Sequence, residues 1–382
     1  MKPIVVIGSG LAGFNVVKEF RKLDKETPLV VLTADDGRSY SKPMLSTGFT
    51  KEKTADELAM ASPEQVAEQF NVTVRTHVHV AGIDADGHRV LLPDDHLDYS
   101  KLVLALGADT WTPPLEGDAV GEVFSVNDLM DYGRFREALQ GKRRVTILGG
   151  GLIGCEFAND LSNGGFEVAL VEPMGRCLPL LLPPAASEAV GRGLEALGVR
   201  FHFGPLAQAV HHGDDGTLIT ELSDGTRVES EVVLSAIGLR PRIDMAKEAG
   251  LRTNRGILTD RTLRTSAEDI YALGDCAEVE GHVLPYVLPL MASARALAKT
   301  LAGEETAVSY GVMPVTIKTP ACPVVVCPPP ADSEGEWEVT QQENDVTALF
   351  RGADGTLLGY ALTGEAVKEK LKLNKELPAL MP

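Results

Sequence analysis

Two glycine-punctuated turns of the same kind constrain this chain more than any other feature. They are Gly8-x-Gly10-x-x-Gly13 in IVVIGSGLAGF and Gly149-x-Gly151-x-x-Gly154 in ILGGGLIGCEF. Each follows an apolar run of strand length and opens a stretch compatible with a helix. The chemistry of such a turn is local. The first glycine permits the tight bend, the second lets a pyrophosphate approach the backbone, and the third lets helix pack on strand. Unpaired N–H groups at the helix start then meet the phosphates with the positive end of the helix dipole. One such motif is weak evidence. Two, each followed by a second apolar strand that ends in an acid, predict an α/β chain with two Rossmann-like, three-layer nucleotide-binding domains.

The acids are Asp35, closing PLVVLTADD, and Glu172, closing EVALVE. A carboxylate at Glu172 accepts hydrogen bonds from both ribose hydroxyls and repels a 2′-phosphate, so the second site is expected to prefer NADH. Arg176, the nearest arginine downstream, is the residue that would favour NADPH instead. Three further apolar runs end in glycine: KLVLALGA with Gly107, VVLSAIGLRP with Gly238, and DIYALGDCAEV with the Gly274-Asp275 corner. A carboxylate at such a corner can accept a bond from a polyol hydroxyl; taken alone, the corner reads equally well as a strand-ending turn.

Composition excludes several classes. A chain of 382 residues with 44% hydrophobic and 24% charged residues suits two or three globular domains. A formal charge of -18 argues against nucleic acid or an anionic membrane as partner. No apolar run reaches the ~20 residues of a membrane span. The opening MKPIVVIGSGLAGF resembles a secretory leader only superficially, since its glycines mark a strand and turn. A soluble, cytoplasmic protein is expected. The cysteines at 155, 177, 276, 322 and 327 are scattered, with no C-x-x-C pair. They read as structural thiols of a reducing compartment, with no disulfide framework or zinc site. The histidines show no metal-ligand spacing, and HHGDDG from His211 reads as a hairpin connection.

Taken in order, the first glycine turn, the ALG strand, the second glycine turn, the AIG strand and LGD at 273 to 275 resemble the FAD-dependent pyridine-nucleotide reductases over essentially the whole chain. That resemblance implies FAD at the first turn and NADH at the second, with the NAD domain inserted in the FAD domain. The implied boundaries are 1 to 110 and 236 to 308 for FAD, 111 to 235 for NAD, and 309 to 382 for a small C-terminal α/β domain. It also implies roles by position. Ser9, Leu11 and Ala12, with Gly8, Gly10 and Gly13, wrap the FAD pyrophosphate, and Thr33, Ala34 and Asp35 lie near the adenosine ribose. Lys42 and Gly107 border the cofactor, and Val80 offers backbone to adenine. Gly274 and Asp275 meet the ribityl chain, and Val287 starts a helix below the flavin's pyrimidine edge. Lys318 is the candidate cation beside the isoalloxazine ring, where it would stabilise the anionic reduced flavin. On the NAD side stand Gly149, Gly151, Gly154, Glu172 and Gly238, with Glu156 as a candidate for the nicotinamide carboxamide.

Disulfide reductases of this superfamily carry a redox cysteine pair after the second FAD strand. The matching stretch, DDGRSYSKPMLSTGF at 35 to 49, has no cysteine. Electrons are therefore expected to leave the flavin directly. Tyr-x-Lys-Pro-x-Leu-Ser at 40 to 46 is similar to the branch that reduces small iron proteins. Lys42 where ferredoxin reductases tend to have arginine, and Thr47 where they have lysine, favour the rubredoxin branch, as do VTIKTP and LTGEAVKEKLKLNKELP. The implied reaction is hydride transfer from NADH to FAD and two single-electron transfers to Fe(III) rubredoxin, serving alkane hydroxylation or oxygen defence. No acid–base residue is required, because the cofactors carry the chemistry. An NADH oxidase, a ferredoxin reductase of an oxygenase system and a redox-signalling flavoprotein are the alternatives. Lys368, Lys372 and Lys375, at i, i+4 and i+7 of an expected C-terminal helix, form a basic stripe that could steer an acidic partner or be a solvated helix face.

Overall fold

The computed structural model describes residues Met1–Pro382 and builds them around three five-stranded sheets. The first sheet is wholly parallel, in the order Ile270–Ala272, Lys101–Leu104, Ile4–Ile7, Leu29–Leu32, Thr73–Arg75. The second is also parallel, in the order Val123–Phe124, Val232–Ser235, Arg144–Leu148, Glu167–Glu172, Arg200–Phe203. Their central strands are buried along their length, as IVVI, LVVL and VVLS require for sheets covered on both faces. Each glycine turn connects the middle strand of its sheet to a helix, Leu11–Arg21 in one case and Leu152–Asn163 in the other.

The chain passes between the two parallel sheets through a two-stranded ribbon, with Ala108–Thr110 antiparallel to Leu239–Pro241. The third sheet is antiparallel, ordered Val315–Ile317, Val324–Cys327, Leu357–Thr363, Asp345–Arg351, Glu336–Gln342. The HHGDDG segment is a hairpin connection between Ala207–His212 and Leu218–Leu222.

Two features differ from the sequence expectation. Residues 42 to 58 belong by sequence to the first nucleotide unit, yet Leu45, Phe49 and Leu58 are buried in the core of the second. Phe49 meets Tyr132, Phe135 and Phe166 edge-on, with ring centroids 5.6, 5.8 and 5.8 Å away. The segment is thus an arm from one unit grafted into the other. The second difference lies at the C-terminus. The expected continuous helix is a 3₁₀ segment at Gly364–Glu369 followed by a single α-helical turn at Lys370–Leu373. Tertiary anchors override the local pattern: Asp345 accepts from the Glu365 amide, Tyr360 donates to Asn374, and Leu373 and Leu377 are buried. Lys368, Lys372 and Lys375 therefore do not share one α-helix, and Lys368 is paired with Glu365.

All five cysteines are free; four are buried and Cys327 is partly so. The Cys155 thiol is raised well above its ordinary pKa by its hydrogen bond with Cys177 and by burial. Burial pushes Cys276 up to about 11.

Two outcomes are expected. Phe49→Ala should cost about 3–5 kcal/mol, read as a shift of the urea midpoint, because it empties a site walled by three aromatic rings. Cys276 sets a pH dependence. Below an unfolded thiol pKa of about 8.5 both states hold the proton, and between there and about 11 only the folded state does. Stability should therefore fall as pH rises from 9 to 10, by about 1.4 kcal/mol per unit for this one group, and Cys276→Ser should flatten that slope.

Candidate active site

At both glycine turns the backbone itself explains which positions must be glycine. Gly8 and Gly149 have φ of +113° and +102°, in the region that side chains avoid. A Cβ on Gly13 would strike the carbonyl of Gly8, and one on Gly154 would strike that of Gly149. The middle glycines are different. A Cβ on Gly10 or Gly151 would meet no heavy atom within 4 Å, so packing does not demand glycine there. Both residues are helix N-caps without any side-chain bond to the helix amides. An open backbone with unpaired N–H groups at a helix start fits a pyrophosphate.

One cavity of about 2610 Å³ joins the two turns. That is well above the ~300–1,000 Å³ of a pocket for one small ligand, and leaves room for two dinucleotides. Gly8, Ser9, Gly10, Leu11, Ala12, Thr33, Ala34, Asp35, Lys42, Val80, Gly107, Asp275, Val287 and Lys318 all line it, as do Gly149, Gly151, Glu156, Glu172 and Gly238. Gly13, Gly154 and Gly274 stand behind the wall, where the first two allow helix to pack on strand and Gly274 lies against Ala12. No cysteine lines the cavity, and neither does Arg176, which donates to the Pro179 carbonyl at 3.3 Å. Lys368, Lys372 and Lys375 also lie outside it.

The two strand-end acids are held differently. Asp35 accepts from Ser9 Oγ at 3.0 Å, Thr33 Oγ1 at 2.6 Å and the Gly37 amide at 2.9 Å, all on Oδ1. Its Oδ2 receives no protein donor and is free for a ribose hydroxyl. Glu172 accepts the Gly150 amide on Oε2 at 2.7 Å and the Met174 amide on Oε1 at 2.8 Å. It thus fixes the second turn as well as presenting negative charge to the cavity.

Lys42 donates to Asn127 Oδ1 at 2.7 Å and lies 3.8 Å from the Asp275 carboxylate. Burial pulls the pKa of this ammonium below its ordinary value, with Asp275 opposing. Asn127 in turn donates to the Ala108 carbonyl beside the inter-sheet ribbon. Nothing in the sequence singles out Asn127, whose partner Lys42 is far away along the chain.

Glu156 and Lys318, expected separately at the nicotinamide and the flavin, form one ion pair. Glu156 is 1% exposed. It accepts from the Lys318 backbone amide at 2.8 Å, from the Lys318 ammonium, and from Ser46 Oγ at 2.6 Å. The Lys318 ammonium also donates to Ser46 Oγ at 3.0 Å. Lys318 is therefore a neutralised cation at the cavity wall, and the oxygens of Glu156 are already engaged within the protein. Ser46 stands in the Tyr-x-Lys-Pro-x-Leu-Ser pattern, but only the fold reveals its bond.

Comparison with known proteins agrees with this geometry. Residues 2–299 match the family described as Pyridine nucleotide-disulphide oxidoreductase, and residues 307–377 match the Rubredoxin binding C-terminal domain. The chain is 82% identical over 382 residues to a rubredoxin-NAD(+) reductase of Alcanivorax borkumensis, covering 100% of both. It is 43% identical to a rubredoxin-NAD(+) reductase of Acinetobacter baylyi, covering 100% of this chain and 99% of the other. In fold it is similar to a ferredoxin reductase for the CYP199A2 system from Rhodopseudomonas palustris, with a TM-score of 0.88 at 24% identity, over 99% of this chain and 96% of that one. No helix is long and apolar enough to cross a membrane. With two open glycine turns on one cysteine-free cavity and a family match that spans both parallel sheets, the chain belongs to the pyridine nucleotide-disulphide oxidoreductase family.

Proposed function

We propose that the protein oxidises NADH and delivers the electrons, one at a time, to rubredoxin through bound FAD. The observation that carries this reading is the single cysteine-free cavity between two dinucleotide turns, in a chain whose C-terminal residues match a rubredoxin-binding domain. Bound FAD supplies a hydride acceptor that can release its electrons singly. The chain's own residues bind and orient. The amides opened by Gly10 and Gly151 take the two pyrophosphates, Asp35 and Glu172 the two adenosine riboses, and Asp275 the ribityl hydroxyls. Val80 offers backbone to adenine. Lys42, Lys318 and Glu156 set the electrostatics beside the reacting rings, with Ser46 fixing the last two. Arg176, turned onto the Pro179 carbonyl, leaves Glu172 as the charge facing the dinucleotide, which favours NADH.

In this reading FAD is bound by residues 1 to 110 and 236 to 308, NADH by 111 to 235, and the partner is met by the C-terminal unit from 309 onward. Lys372 and Lys375, with Lys368 partly neutralised by Glu365, steer an acidic partner. The enzyme works in the cytoplasm and supplies alkane-hydroxylating or oxygen-defence electron chains.

The test is anaerobic stopped-flow. NADH should bleach the flavin much faster than NADPH, and oxidised rubredoxin added next should lose its iron absorbance at two rubredoxins per flavin. Bleaching without iron reduction would overturn the rubredoxin assignment while leaving the NADH half intact. Replacing Lys368, Lys372 and Lys375 with glutamine should lower the rubredoxin on-rate and its salt dependence together; no change in either would remove these lysines from the docking surface.

A further inference from the structure

The helix Leu152–Asn163 begins at the second glycine turn, but its most unusual residues come later. Glu156, Asn159 and Asp160 lie at i, i+3 and i+4 on one face, and all three are buried, at 1%, 1% and 3% exposure. Burying three polar side chains on one helix is costly unless each is bonded. None of the bonds runs within the helix. Glu156 accepts from Ser46 and Lys318, Asn159 from the Ala321 amide at 3.0 Å, and Asp160 from the amides of Phe49 at 2.9 Å and Thr50 at 2.8 Å. One helix face is thus bonded to the arm from the first unit and to the C-terminal unit.

Asn159 and Asp160 both lie outside the cavity wall, and Asp160 is the one that holds the arm from the first unit. Its carboxylate serves two consecutive backbone amides, one oxygen to each. Those amides close the segment 42–50, whose 3₁₀ helix Lys42–Thr47 carries Lys42 and Ser46, both of which do line the cavity. Phe49, within that segment, is locked among three aromatic rings and packs close against Gly164 at the end of the helix Leu152–Asn163. The helix that presents its N-terminus to one dinucleotide therefore holds, about two turns later, the segment that borders the other.

We infer that Asp160 is a positioning residue for hydride transfer: it fixes the 42–50 segment to the NAD-side helix, so that the spacing of the two dinucleotide sites is set in advance rather than by domain closure. The inference rests on the NADH-to-FAD reading and adds a residue to it. Removing the carboxylate should loosen the register between donor and acceptor while leaving both binding turns intact. A displacement of the reacting groups on the order of 1 Å costs roughly 100-fold in rate, so even partial loosening is measurable.

The experiment uses FAD-loaded Asp160→Asn and Asp160→Ser beside the unsubstituted enzyme. Expected are unchanged FAD stoichiometry, at least about 10-fold slower bleaching by NADH, and a larger primary isotope effect with 4-deuterated NADH. Rubredoxin reduction by variant reduced with dithionite and freed of the excess should stay within about twofold of the parent, since the hydride donor takes no part in that step. Unchanged bleaching and isotope effect in both variants would overturn the inference, even if the melting temperature falls. Failure of the NADH-to-FAD reading itself is separable, because it would show in the unsubstituted enzyme. Independently of any variant, amide exchange in the unsubstituted FAD-loaded enzyme without NADH should find the Phe49 and Thr50 amides as protected as helix 152 to 163. Rapid exchange at those amides would equally refute a preset spacing.

Discussion

The ion pair between the buried Glu156 carboxylate and the partly exposed Lys318 ammonium is the point on which the relation of the three units depends. A carboxylate removed from water carries a large desolvation cost, and a pair in the interior recovers it only with good geometry and further hydrogen bonds. Here the further bonds come from the Lys318 amide and Ser46 Oγ, so donors from two units converge on a carboxylate of the third. Such a pair is weak evidence of added stability; an apolar replacement of the same shape can be as stable. What an apolar contact lacks is direction. A hydrogen-bonded charge admits one arrangement of its donors, and here that arrangement sets how the arm, the NAD-side helix and the C-terminal unit meet.

The same logic explains the grafted arm. A protein that binds two cofactors in one cavity must keep two nucleotide units in register, and a single crossing ribbon, three residue pairs long, gives little restraint. Leu45, Phe49 and Leu58 add a nonpolar anchor, which supplies energy without much orientation, and Asp160 and Glu156 add polar contacts, which supply orientation. The Lys42 bond to Asn127 crosses the same boundary a third time.

How much of this is legible in the sequence follows from the range of each interaction. The glycine turns are legible because their requirement is local: a positive φ at Gly8 and a close approach at Gly13 constrain neighbouring residues only. The strand-end acids are legible for the same reason, though their bonds are not; that Asp35 keeps one oxygen free while both oxygens of Glu172 bind amides depends on loop geometry. Asp160, Asn127 and the pairing of Glu156 with Lys318 were out of reach, since these contacts span 110, 85 and 162 positions of the chain. The C-terminal lysines show the opposite error. Their i, i+4, i+7 spacing is a real local pattern, but Asp345, Tyr360 and the burial of Leu373 and Leu377 hold the segment in another shape.

The contrast between middle and flanking glycines separates what the fold needs from what a ligand needs. Gly13 and Gly154 would be glycine in any protein that packs a helix this closely on a strand. Gly10 and Gly151 have room for a side chain in the protein alone, so their identity has no explanation from the polypeptide's own packing. A residue type that the fold does not require, repeated at the same place in two turns that face one cavity, is the trace of the molecule that occupies that space. Because both traces open on the same cavity, no wall separates the two ligands, and the electrons have no protein disulfide to cross.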